Sequence, residues 1–496
     1  MSRRFAASAL SAALLLAAAP GRADLPANGA QIQTSRYSVD MTQGPVLAGT
    51  RVIGLAGAYV ALAEGTEGNT QNPAAPAVRT PWSVDNLDYD LGFGLTFPST
   101  VQNTDFFNTG QRTTQLGNTD TTGFVFLDLS GNLQFGAWGV GLTLNMQQYG
   151  VTRRGSPEKL NARFITGHGL VARSLADGQL VLGGGVRLSN LTLVNGNPLP
   201  NQSNSLFETT GTALELGALV RPNWRHFRIG AALRSAVTTH ANPTSKVNEV
   251  NGDHIAGTPG SPDAIYLPDD VALPWNVNVG AAIQIGPRPF NPRWLDPDEV
   301  VAQTKRYLDW RARERERRRA YLLHKAKQEG RDVDAAAKAI DAENATQTAL
   351  DKEHLRRVNE RVRKELKARA KAMARFYVLL SAQLLITGPL PNAVGVESFL
   401  EQTVNRSGRR ATYSPRAALE TEVIPGWLKV RGGAYFEPTR FASSKGRWHG
   451  AGGLGLKLFP WSIFGLFDDD TVWRASGAID AGARYFGWSA TVGVWH

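Results

Sequence analysis

"GAWGVGLTLNM", residues 136–146, is the stretch on which the fold turns. Successive side chains of an extended strand point to opposite faces. Trp138, Val140, Leu142, Leu144 and Met146 therefore share one face, and Gly139, Gly141, Thr143 and Asn145 share the other. The pattern recurs in "NVNVGAAIQIG", where Val277, Val279, Ala281, Ile283 and Ile285 oppose Asn276, Asn278, Gly280, Ala282 and Gln284. "LKVRGGAYF" repeats it, with Leu428, Val430, Ala434 and Phe436 against Lys429, Arg431 and Tyr435. Such segments are longer than the usual soluble strand of about 5–6 residues. They suit a strand that crosses a bilayer obliquely, apolar side to lipid and polar side to a lumen. A secreted β-sandwich would also alternate, but its outer face would be fully polar. Here the polar face is rich in Gly and Asn, and Trp224, Trp275, Trp427, Phe459 and Trp461 mark strand ends as interfacial aromatics do.

The reading is an all-β transmembrane barrel of about fourteen antiparallel strands. They fall at approximately 82–97, 121–129, 133–149, 161–175, 179–193, 208–220, 226–238, 272–286, 376–388, 411–423, 427–437, 448–459, 471–482 and 486–496. Short connections at Ser130–Asn132, Ala176–Gly178, Arg221–Arg225 and Ile424–Gly426 alternate with long ones such as 98–120 and 239–271. Bacterial barrels place the short turns in the periplasm. The last strand, "GWSATVGVWH", alternates to the terminus and resembles the C-terminal strand of outer-membrane barrels, except that it ends on Trp495-His496 and not on Phe.

Compositional bounds agree. The 496 residues contain no Cys, which excludes a disulfide framework and thiolate zinc sites. Residues 1–23, with Arg3, Arg4, an apolar run and small residues at Gly21 and Ala23, read as a secretory signal. An exported protein has no nucleic-acid partner in reach. No later stretch is long and apolar enough for a spanning helix.

In the hairpin "LETEVIPGWLKVRG", a turn at Pro425-Gly426 places Glu422 opposite Lys429 and Glu420 opposite Arg431, all facing the lumen. Opposite charges across a ladder stabilise it by about 0.2–1 kcal/mol. They either fill a polar interior or form a charged wall that orients a ligand head group.

Residues 24–81 do not alternate. Their "RVIGLAGAYVALAEGTEGNTQNPAAPAVR" (51–79) carries Gly54, Gly57, Ala58, Tyr59, Ala61, Ala63 and Gly65, then Asn72-Pro73-Ala74. In this pattern the chain resembles the long-chain fatty-acid transporter (FadL-like) outer-membrane barrels, although the family's Asn-Pro-Ala-Gly-Leu here continues as Ala75-Pro76. The resemblance implies an N-terminal hatch inside the lumen and passive uptake of hydrophobic molecules. A related branch of secretion shuttles and scaffolds shares the pattern. A plug tied down by few strong contacts would yield to a ligand that binds the open state better.

Enzymatic signals are weak, and the chain reads as a non-enzyme without cofactor or metal. "GAWGVG" and "GAGGLG" lie inside strand patterns with no following helix, so they are barrel glycines and not phosphate loops. Asp468–Asp470 reads as a solvated loop more readily than as a Ca²⁺ site.

Residues 287–375 interrupt the barrel pattern. Asp296 as N-cap, Pro297 at N1 and Glu299 at N3 start a helix that Gly330 breaks. Asp332 or Asp334 caps a second helix reaching about Ala374, with an apolar stripe at Leu355, Val358, Val362, Leu366, Ala370 and Met373. The first offers Val301, Leu308 and Leu322, with Arg315 interrupting. The expectation is an antiparallel helical hairpin about 50 Å long. It carries 24 Lys and Arg against 15 Asp and Glu, a net of +9 in a chain of +11. Strand parity directs it into the periplasm. Its basic run, Arg311, Arg313, Arg315, Arg317, Arg318 and Arg319, either keeps the arm solvated or docks peptidoglycan, anionic lipid or an acidic periplasmic protein. The domain reading is a signal at 1–23, a hatch at 24–81, barrel strands at 82–286 and 376–496, and the arm at 287–375. The functional reading is a hatch-gated outer-membrane barrel for fatty-acid-like molecules, with outer-membrane lipid around it. The competing reading is a non-transporting scaffold whose arm binds partners.

Overall fold

The computed structural model describes residues 25–80, 83–98, 104–110, 119–152, 159–195, 205–244, 247–261, 264–462, 465 and 471–494. The signal segment, Asp468–Asp470 and the last two residues therefore lie outside the described residues.

Fourteen strands form the wall: β1 (Leu87–Pro98), β2 (Thr119–Phe135), β3 (Trp138–Thr152), β4 (Lys159–Leu175), β5 (Leu180–Asn195), β6 (Ser205–Val220) and β7 (Phe227–Arg234). They continue with β8 (Asn276–Ile285), β9 (Val378–Thr387), β10 (Thr412–Ile424), β11 (Leu428–Glu437), β12 (Arg447–Pro460), β13 (Val472–Gly482) and β14 (Tyr485–Val494). Each pairs antiparallel with its sequence neighbours. β14 returns to β1, with Phe93 opposite Val492, so the sheet closes and leaves no edge. The faces are inverted relative to a soluble protein. Leu142 is 65% exposed and Leu214 67%, whereas Asn132 on the inside is 2% exposed. Apolar side chains outside and polar ones inside are what a hydrocarbon solvent selects.

The first short turn differs from the sequence reading. Ser130–Asn132 is not a turn but the middle of β2, and the reversal comes at Gly136-Ala137. Ser-Gly-Asn reads as a loop only where polar residues need bulk water. Here Ser130 and Asn132 point into the lumen while Leu129, Leu133 and Phe135 keep the outward alternation. Two further segments leave the wall. Residues 237–238 and 272–273, read as ends of wall strands, belong to the short strands Val237–His240 and Asp270–Leu273, which pair with each other at one mouth of the barrel.

The two rims differ. One carries the turns at 136–137, 176–179, 221–226 and 425–427, the connection 461–471 and the helical arm. Exposed Phe135, Trp138, Trp224, Trp427, Phe459 and Trp461 ring it. The other carries the longer connections 99–118, 235–275 and 388–411, and also one two-residue turn at 483–484. On that long-loop rim sits a five-stranded cap. Its central strand, Ser38–Asp40, runs parallel to both Asp270–Leu273 and Ala393–Gly395. The N-terminal segment therefore begins in the cap, buried there through Tyr37, Val39 and Met41. It then runs down the lumen to Arg79, beside Gly136 at the opposite rim.

Candidate functional site: the occupied lumen and its cavities

Residues 46–78 fill the lumen because the wall is shaped to receive them. The short helix α1 (Thr50–Gly54) ends in a tight reversal through Gly57, whose φ of +72° suits a residue without Cβ. The Asn72 side chain holds the next bend. Its Nδ2 donates to Val60 O (2.8 Å) and Ala218 O (3.1 Å), and its Oδ1 accepts from Ala74 N (3.0 Å). Pro73 presses on the wall where two glycines leave room. A Cβ on Gly183 would lie 2.0 Å from Pro73 O, and one on Gly217 2.2 Å from Asn72 Oδ1. Gly54 packs against the Arg431 side chain and Gly65 against Asp90. Tyr59 N and Val60 N both donate to Gln383 Oε1 (3.0 and 2.8 Å), and Ala58 O accepts from Ser381 Oγ (2.7 Å).

Charge locks the segment further. Arg51 makes a bidentate pair with Glu420 (2.9 and 2.7 Å) and reaches Glu64 (3.0 Å). Glu64 also binds Arg228 (2.7 Å), and Glu67 binds Arg474 (2.8 Å). Both Glu420 and Arg228 are fully buried. The ladder does set Glu420 opposite Arg431 and Glu422 opposite Lys429. Yet Glu420 spends its best geometry on Arg51 and on the Tyr377 hydroxyl (2.8 Å), with Arg431 at 3.4 Å. Glu422 accepts from Gly426 N and closes the hairpin turn. The segment is thus held by many strong contacts, and the condition of few strong contacts under which a plug yields easily is not met here. Arg51, Glu64 and Glu67 were missed as site residues, although a signal existed: they are the only charges in the Gly/Ala-rich stretch 51–78. A charge buried there needs a partner on the wall.

Two more polar clusters line the upper wall. Tyr435 donates to Asp480 (2.7 Å), and His449 bridges Asp480 (3.0 Å) and Glu437 (2.7 Å), which Arg447 also binds (2.7 Å). His168 and Arg234 share Glu215 (2.7 and 3.0 Å), and Arg234 donates to Thr70 O of the plug (2.6 Å). Among the described residues no group of three or more His, Asp and Glu is placed to hold a metal ion. In the cap, burial and then the neighbouring Asp105 and Glu401 push the Glu397 carboxyl up to about 8.

Space in the lumen is uneven. At mid-height a small cavity of about 40 Å³ lies among Arg51, Glu64, Arg431 and Arg474. Above the plug a cavity of about 250 Å³ lies under the cap, with Met41, Phe126, Phe164, Leu273 and Leu385 as apolar lining and Arg187 and Arg234 as charged lining. Arg187 donates through Nη2 to Ser235 O (3.2 Å), and its buried Nε has no partner.

The arm is α2 (Pro297–Gln328) and α3 (Val333–Ala372), capped by Asp296 and Asp332. It leaves the rim of short turns. Its basic run is not an open patch. Arg311 and Arg315 converge on the buried Asp351 (2.7 and 2.6 Å), so Arg315 joins the helices where it was read as interrupting their seam. Arg319 binds Asp341 (2.6 Å), Arg318 reaches Glu343 (3.6 Å) and Arg317 reaches Glu314 (3.6 Å). Only Arg313 of the six makes no ion pair among the described residues. Farther along α3, hydrogen bonds from Arg356 and Arg357 hold the exposed Glu353 down to about 2.

Neither the protein-family models nor the curated proteins searched include a match to this sequence. Among solved structures the chain is similar to a Pseudomonas aeruginosa FadL homologue (11% identity, TM-score 0.47, 91% of this chain and 99% of that one). It is similar also to the Pseudomonas putida toluene transporter TodX (9%, 0.46, 91% and 98%) and to the CymD monoaromatic hydrocarbon channel (8%, 0.44, 90% and 96%). At these values the likeness reaches no further than the barrel that the closed ladder already establishes.

Proposed function

We propose that this is an exported barrel of a bacterial outer membrane that mediates passive uptake of hydrophobic, fatty-acid-like molecules past the N-terminal hatch. The observation that carries the reading is the cavity under the cap. It pairs apolar walls at Phe126, Phe164 and Leu385 with the buried cation Arg187, whose Nε has no protein partner. An amphiphile with an acidic head satisfies both halves: its tail leaves water, and its head repays the desolvation of the guanidinium. Residues 46–78 occupy the mid-lumen, so in this reading passage requires the plug to shift. A ligand moves that equilibrium only as far as it binds the displaced state better than the seated one. Reconstituted proteoliposomes given a radiolabelled long-chain carboxylate should take it up faster than protein-free vesicles. No flux and no co-purifying lipid would reject the reading.

A scaffold is the second reading, favoured by the tight seating of the plug and by the net +9 of the arm. It predicts periplasmic proteins, peptidoglycan or anionic lipid that co-purify with the full chain and disappear when 297–372 is deleted. Both readings place the arm in the periplasm. Protease resistance of the arm in intact cells, lost when the outer membrane is opened, supports that side.

A further inference from the structure

A further cavity lies outside the lumen, where the root of the arm meets the rim of short turns. It measures about 420 Å³, within the range of about 300–1,000 Å³ usual for small-molecule sites. Two parts of the chain far apart in sequence build it. Trp224, Trp294 and Leu295 come from the rim and the approach to α2, and Leu366 and Met373 come from the end of α3. The root is docked there by Asn86 donating to Asp298 (3.3 Å) and by Arg363 near Asp85 (3.9 Å).

The wall holds donors that the protein does not satisfy. Arg221 is 6% exposed, its Nη groups have only long contacts to Arg79 O (3.3 Å) and Pro292 O (3.5 Å), and its Nε has no partner. The Glu64 carboxylate in its neighbourhood is already engaged by Arg51 and Arg228. Trp294 presents a buried Nε1–H that likewise has no partner, on a ring held in place by the Arg79 guanidinium stacked at 4.1 Å. Three acids also face the cavity. Asp177 is near Arg293 (3.3 Å), Asp296 caps α2, and Glu299 lies on the first turn of that helix. A buried guanidinium without a carboxylate is expensive unless an anion joins it, and an indole N–H buried without an acceptor forfeits the hydrogen bond it made to water.

We propose that the arm root and the short-turn rim form a second binding site, for a long-chain carboxylate. Its head group is received by Arg221 and the Trp294 Nε1–H, and its tail lies against Leu295, Leu366 and Met373. The inference rests on the uptake reading and gives the arm a part in it: the arm supplies one wall of an exit-side receptacle for molecules that have passed the plug.

A sixteen-carbon acid bearing a diazirine on its chain, photolysed with the full-length protein in lipid nanodiscs, tests this by peptide mapping. The expected result is label on the peptides carrying Trp294, Leu366 and Met373, besides the lumen peptides of Phe126 and Phe164. Leu366→Glu should cut the root label by about tenfold or more, the effect of about 1.4 kcal/mol of repulsion or greater, and leave the lumen label unchanged. Arg221→Gln should reduce root labelling by the acid but not by its methyl ester, a distinction that a mere loss of fold would not produce. Label in the lumen alone overturns the second site and leaves the uptake reading standing. Label at neither place overturns both.

Discussion

Removing the Glu420 carboxylate should unseat the plug. In Glu420→Ala, Arg51 loses its bidentate carboxylate on the wall and keeps only Glu64 and the Tyr59 hydroxyl, both on the plug itself. Leaving one member of a buried pair unmatched costs about 3–5 kcal/mol. At about 1.36 kcal/mol per decade, the ratio of displaced to seated plug should rise by roughly two to three and a half orders of magnitude. The barrel itself should persist, since all fourteen ladders are made by backbone groups. Arg51→Ala should cost less, because Glu420 keeps Tyr377 and Arg431, and Glu64 keeps Arg228. The double variant should then fall short of the sum by about 0.5–3 kcal/mol, the coupling expected of contacting residues. Open probability in planar bilayers at fixed voltage reads these changes directly. A Glu420→Ala barrel that stays as closed as the parent, or a cycle with no coupling, would refute the argument that the ion pair seats the plug.

Three other outcomes follow from the same geometry. Gly183→Val should open the barrel in the same conductance assay, because its Cβ would meet Pro73 O at 2.0 Å, whereas Gly184→Val, whose nearest neighbour is Glu215 O at 3.4 Å, should stay closed. Asp351→Ala should free Arg311 and Arg315 and weaken the helical hairpin by about 1.5–3 kcal/mol, the range for hydrogen bonds to charged groups; trypsin cleavage within 311–357 should accelerate while the barrel keeps its heat-resistant mobility in gels. Glu397 has a folded pKa of about 8, raised from 4.5. Its contribution is therefore complete below about pH 4.5 and is lost as the pH rises through about 8. Hydrogen exchange in 104–110 and 396–405 should quicken over that window, and Glu397→Gln should remove the dependence.

The barrel was legible in the sequence because its signal is local. A period of two, seen in Leu142 and Leu144 against Thr143 and Asn145, depends only on which face meets lipid. The same holds for the arm: Asp296 and Pro297 open α2, Gly330 ends it and Asp332 opens α3, each within one helical turn of the residues it governs. Where local signals failed, solvent was the reason. Ser130-Gly131-Asn132 resembles a turn only under the assumption that polar side chains seek bulk water. The lumen gave Ser130 and Asn132 another polar environment, and the strand ran on to Phe135.

What fills the lumen was decided by closure. Arg51 and Glu420 are 369 positions apart, and no spacing rule pairs them. They meet because β1 joins β14 and confines the N-terminal segment within reach of the whole wall. The Gly/Ala motif marked a tightly packed segment, but only the tertiary structure shows that wall residues Gly183 and Gly217 are its counterpart. The same distinction separates the charge of the arm from its meaning. Composition determines a net of +9, whereas the antiparallel docking of α2 on α3 decides that Arg311, Arg315 and Arg319 are spent on Asp351 and Asp341. Periodicity, caps and net charge are properties of neighbouring residues; ion-pair partners and cavities exist only once the chain has folded back on itself.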